Sequence, residues 1–141
     1  MIELRSELED WCASYVRAFC DYDADAIAAH WTFPALTTQA GRSFSFATRE
    51  HFSKNTDKLL GFYQRQGVSD VTRSVIACHA LHPDVASMTV SDEMRSQSGE
   101  EIVSWTAAYV LQRTGGIWKA VMAVADGETQ AWAARGTPLG G

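Results

Sequence analysis

The stretch that decides the fold is residues 84–126, DVASMTVSDEMRSQSGEEIVSWTAAYVLQRTGGIWKAVMAVAD. Polar and apolar residues alternate through 84–95, 101–113 and 117–126, parted by Ser96 to Glu100 and by Thr114-Gly115-Gly116. A period of two places successive side chains on opposite faces of a strand. Residues 68–80 carry the same period and reach the first of these segments through the turn His82-Pro83-Asp84. Short turns between long strands make an antiparallel meander.

Upstream of Gly67 the period changes. Leu4, Leu8, Trp11, Tyr15 and Phe19 recur at spacings of three and four, which predicts a helix over 3–21. Asp23 is placed to cap a short second helix from Ala24 to about Trp31, ended by Pro34. Segments 34–39 and 43–47 read as short strands around Gly41-Arg42. Thr48 and Glu50 open a third helix whose buried face is Phe52, Thr56, Leu59, Leu60 and Tyr63, with Gly67 at its end. Helices followed by a meander predict an α+β domain over 1–126, and 127–141 reads as a loose C-terminal tail.

Composition narrows the function. The 141 residues suit one domain, and a chain of that size buries roughly 68% of its unfolded surface without staples. A net charge of −5, with no run of three cations, lacks the footprint of a nucleic-acid or anionic-membrane binder. No apolar run reaches the roughly 18 residues of a membrane span. The acidic start MIELRSELEDW does not read as a signal peptide, and Cys12, Cys20 and Cys78 form an odd set without C-x-x-C spacing, so reduced thiols in the cytoplasm are expected.

Chemistry is sparse. Asp92 is the one misfit in an otherwise apolar row, Ala86, Met88, Val90 and Met94. It lies either at a solvated rim or buried with a raised pKa, and the second case makes it an acid/base candidate. The strand at 117–126 is apolar on both faces apart from Lys119, so the outer face needs a cover, and a sheet-to-sheet homodimer is the simplest. Asp21-x-Asp23-x-Asp25 fails as a calcium loop because Ala26 and Thr32 stand where Gly and Glu are required. His79 and His82 lack a third ligand at a zinc spacing, and no nucleophile elbow or phosphate loop occurs, so neither metal nor cofactor is expected.

Three motifs carry a resemblance: Tyr15-Val16-x-Ala18-Phe19, Asp23-x-Asp25-x-Ile27-x-x-x-Trp31, and Gly116-Ile117-Trp118-Lys119. With the layout of helices and meander, they make residues 5 to 126 resemble the nuclear transport factor 2-like superfamily. More narrowly, they resemble the branch that holds SnoaL-like cyclases and ketosteroid isomerase. The resemblance implies a cystatin-like cone, three helices packed on a strongly bent, mainly antiparallel sheet with a pocket at the wide end. It implies that Met88, Val90, Asp92, Val121 and Ala123 face that pocket and that Tyr15 stands where the isomerase has its oxyanion-donating Tyr. The isomerase's general-base Asp falls at Gln39, and no carboxylate stands at Ala108 or Tyr109.

The expected function is therefore binding of a small, largely apolar molecule, oriented by Tyr15, Gln39, Asp92 and Tyr109, with Trp31 and Phe62 as candidate walls. Two alternatives use the same fold. One is an enzyme in which Asp92 moves a proton next to a carbonyl while Tyr15 stabilises the enolate. The other is a non-catalytic dimeric interaction module.

Overall fold

The computed structural model describes residues 2–139. Helix α1 (Ile2–Cys20) buries Leu8, Trp11, Cys12, Tyr15 and Ala18, with Leu4 and Phe19 packed at the margin. Helix α2 is Ala24–Ala28, and the Asp23 carboxylate accepts the Ala26 N–H at 3.0 Å. It stops three residues short of Trp31. Trp31 is drawn instead into a strand, and just before it the His30 carbonyl accepts the Ala120 N–H at 2.9 Å. Strand β1 is thus Trp31–Gln39, and Pro34 lies inside it where the register with its neighbour shifts.

Strand β2 (Arg42–Phe46) pairs with β1, and helix α3 (Arg49–Arg65) follows. The Thr48 hydroxyl accepts the His51 N–H at 3.2 Å, and Gly67, at φ +77°, turns the chain out of α3 in the left-handed region. Strands β3 (Asp70–His82), β4 (Val85–Arg95), β5 (Glu101–Thr114) and β6 (Ile117–Val124) form the expected meander. The six strands make one curved sheet ordered β2-β1-β6-β5-β4-β3. Every neighbouring pair is antiparallel except β1–β6. The helices pack on its concave side, so the chain is the α+β cone its sequence implied.

Two corrections follow. The stretch from Gly127 is not a loose tail: Asp126–Arg135 forms helix α4, whose Trp132 is 0% exposed and stands edge-on to Phe62 at 4.9 Å. Gly127 allows this approach, because a Cβ there would sit 2.3 Å from the Thr106 carbonyl oxygen. The last two residues of that stretch, Gly140 and Gly141, lie outside the described residues. The second correction concerns β6. Val121 has no partner between Leu111↔Ala120 and Val110↔Met122, so it is a bulge that flips the strand's parity. Trp118 and Ala120 point inward before it and Ala123 after it, which takes Val121 off the inner face. Among the described residues, no helix is long and apolar enough to cross a membrane.

Candidate functional site

A cavity of about 110 Å³ occupies the wide end of the cone. Helices α1 and α3 bring Tyr15, Phe52 and Tyr63 to its wall, β1 brings Trp31, and β5 brings Trp105 and Tyr109. The rings interlock: Trp31 and Phe52 centroids lie 4.9 Å apart, and Trp11 stacks on Tyr15 at 4.7 Å. Such edge and offset contacts fix ring positions beyond simple burial.

Into this aromatic shell the sheet inserts an ion pair. Asp92 is 3% exposed, so the rim reading fails, but it does not stand alone. Arg73 from β3 donates through Nε to Oδ1 at 2.6 Å and through Nη2 to Oδ2 at 2.8 Å. Nη2 also donates to the Tyr109 hydroxyl at 2.9 Å, and the guanidinium lies 4.7 Å from the Tyr109 ring centroid. The arginine side chain is only 6% exposed. Burial opposes its charge, yet Tyr109 and Asp92 outweigh burial and hold the guanidinium firmly protonated. Its Nη1 is buried without a hydrogen-bond partner among the described residues. Both carboxylate oxygens accept from the one guanidinium, so Asp92 has the geometry of an anchor for Arg73.

The free carboxyl comes from α4. Glu128 accepts from the Tyr63 hydroxyl and, at 3.2 Å, from Trp132 Nε1. Both bonds fall on Oε2, which leaves Oε1 to exchange a proton with the cavity. Glu128 is half-buried and lines the cavity. Burial pushes it up to about 7, against the lowering effect of its two donors. The Tyr15 hydroxyl accepts the Trp31 indole N–H at 3.0 Å, which leaves its own proton to donate. Burial, helped by Tyr109, pushes that phenol well above its ordinary range, so it stays protonated.

Of the residues singled out by sequence, Tyr15, Trp31, Gln39, Asp92, Tyr109 and Ala123 lie on the cavity wall. Met88 and Val90 do not: α1 closes that end of the cone, and the Cys12 thiol donates to the Met88 sulfur at 3.7 Å. Phe62 faces α4 instead of the cavity, because Trp132 packs edge-on against it. Val121 is removed by the bulge. Arg73 and Glu128 are the charged residues of the wall that sequence reasoning missed. Among the described residues, no three His, Cys, Asp or Glu side chains converge as metal ligands.

Comparison with known proteins agrees with this architecture. The family model described as NTF2-like protein (DUF6841) matches residues 6–128. No curated protein matches. An NTF-2 like protein of unknown function from Shewanella oneidensis MR-1 superposes with a TM-score of 0.68 at 8% identity, covering 84% of this chain and 95% of that one. A ketosteroid isomerase-like protein from Erwinia carotovora atroseptica gives 0.65 at 16% identity, covering 88% and 95%. A domain with a cystatin-like fold from Nostoc punctiforme gives 0.67 at 12% identity, covering 84% and 74%. At these identities the likeness is one of fold.

Proposed function

Because the chain belongs to the NTF2-like family DUF6841, we propose that it binds a small, largely apolar molecule carrying one hydrogen-bonding oxygen in the cone cavity. The observation that carries this reading is an aromatic cavity of about 110 Å³ with polar groups turned into it. An engineered apolar cavity of about 150 Å³ accepts benzene, so a cavity of this size suits a single ring or a short branched chain. Tyr15 and protonated Glu128 supply donors for the ligand's oxygen, and the aromatic walls supply apolar burial.

The test is a thermal-shift and ligand-detected NMR screen with benzene, benzaldehyde, acetophenone and cyclohexanone. Ligands that bind only the folded state raise the melting temperature by linkage. Carbonyl compounds are expected to bind more tightly than benzene, and Ala123→Leu, which fills the cavity, is expected to abolish binding. If none of the four binds, the reading is wrong.

The carboxyl held near 7 favours a second reading, proton transfer next to a carbonyl. Glu128 takes the proton from the carbon beside the carbonyl as the C–H bond breaks. The electron pair moves to the carbonyl oxygen, which accepts a hydrogen bond from Tyr15, and Glu128 then returns the proton to carbon. Deuterium exchange into a bound ketone, lost in Glu128→Gln, would support it; exchange that persists in that variant would exclude it. A second copy of the chain is the proposed cover for the outer sheet face, where Ile117 and Val124 of β6 are exposed. A monomer mass by light scattering at micromolar concentration would remove that part.

A further inference from the structure

The cavity does not end at its own walls. A groove of about 550 Å³ runs along the outer side of α3, and Gln39, Asn55 and Leu59 line both spaces. The two amides and one leucine therefore form the threshold between an apolar chamber and a wider, more polar groove. The groove's charged residues are Lys58, Arg65 and Asp57, two cations and one carboxylate, for a local net charge of +1. That is the opposite sign to the chain as a whole, which carries −5. Lys58 and Arg65 are seven residues apart on α3, so they share one side of the helix about 10 Å apart along its axis. Among the described residues neither belongs to an ion pair, although Lys54 on the same helix is paired with Glu50.

A second observation concerns the groove floor. Gly61 sits in the middle of α3, where glycine costs a helix about 0.8–1 kcal/mol relative to alanine. The protein's own packing does not require it: a Cβ built there meets only the far end of Arg65, Nη1 at 3.4 Å. The space that the missing side chain leaves belongs to the groove.

We propose that cavity and groove form one site for an organic anion. An apolar head of single-ring size enters the cavity, and a carboxylate or phosphate on a short tail lies along Lys58 and Arg65, over the bare backbone at Gly61. This rests on the binding function proposed above and adds to it the charge and shape of the ligand.

The experiment titrates the protein with 4-phenylbutyrate, 4-phenylbutyl phosphate and the neutral 4-phenylbutanol, which share one head and tail. At low ionic strength an anion is expected to bind about five-fold more tightly than the alcohol, with the advantage shrinking in 0.5 M salt. Whichever anion has the larger advantage identifies the tail group. In Lys58→Gln/Arg65→Gln the ratio of anion to alcohol affinity is expected to fall below two-fold. Gly61→Leu, which fills the groove floor, is expected to remove the same advantage while the melting temperature holds or rises. Equal affinities for anion and alcohol, or an advantage that survives the double substitution, would overturn the proposal and leave the cavity reading standing. Failure of the alcohol as well as the anions to bind would overturn both.

Discussion

Glu128→Gln separates the electrostatics of the site from its packing. The carboxyl moves from an ordinary value of 4.5 to about 7 on folding, because burial disfavours its charged form. Below pH 4.5 it is protonated in both states and the folded protein keeps its full stability. Between 4.5 and 7 the unfolded chain releases the proton while the folded one retains it, so stability falls as pH rises and levels off above 7. At 1.36 kcal/mol for each pH unit, the loss is about 3 kcal/mol. Glutamine keeps an oxygen for the two donors on Oε2, Tyr63 and Trp132, but has no proton to lose. Urea denaturation at pH 4.5 and pH 8 measures both states of the comparison. The variant is expected to match the parent at pH 4.5 and to exceed it by up to about 3 kcal/mol at pH 8. Parallel pH profiles, or a variant weaker than the parent at pH 8, would refute the placement of this carboxyl.

Four further variants have expected outcomes. Asp92→Asn strands the Arg73 guanidinium, 6% exposed, without its counter-charge, and is expected to cost about 3–5 kcal/mol in urea denaturation. Replacing both partners by apolar residues, Arg73→Met with Asp92→Leu, should cost less than the single change. Trp132→Ala empties a fully buried site, for a loss of about 3–5 kcal/mol, together with faster proteolysis of α4; a tail would show neither. Gly127→Ala forces a methyl to within 2.3 Å of the Thr106 carbonyl, and its melting temperature is expected to fall although alanine is the better helix former.

Much of the architecture is written locally. Asp23, Thr48 and Gly67 each mark a helix end by their own chemistry, and the meander declares itself by alternation. What escapes the sequence depends on partners far along the chain. Residues 29–31 continue a helical segment without a break in the sequence, and Trp31 is strand where it pairs with Ala120 of β6. Helix α4 has a single large apolar residue, Trp132, and no helical stripe, so nothing in its pattern announces it. The Arg73–Asp92 pair is hidden by register. Counting back from the tight turn at His82↔Val85 would set Val75 opposite Asp92. Two irregularities in the β3–β4 ladder move Arg73 into that place. The same effect at Val121 displaced one expected pocket residue, and the unseen α4 concealed both Glu128 and the surface that claims Phe62.

The position of β6 in the sheet has a consequence for how the molecule is made. The last strand synthesised lies between β1 and β5, so the two halves of the sheet meet only through it. Trp31 must wait for Ala120, about ninety residues downstream, before its strand gains a second neighbour. At about 5–20 residues per second that delay is roughly 5 to 18 seconds, during which the β1 edge and its aromatic face stand open on the growing chain. A chain cut short before Ile117 would carry two unpaired strand edges in place of a seam, the kind of surface that other chains and chaperones capture.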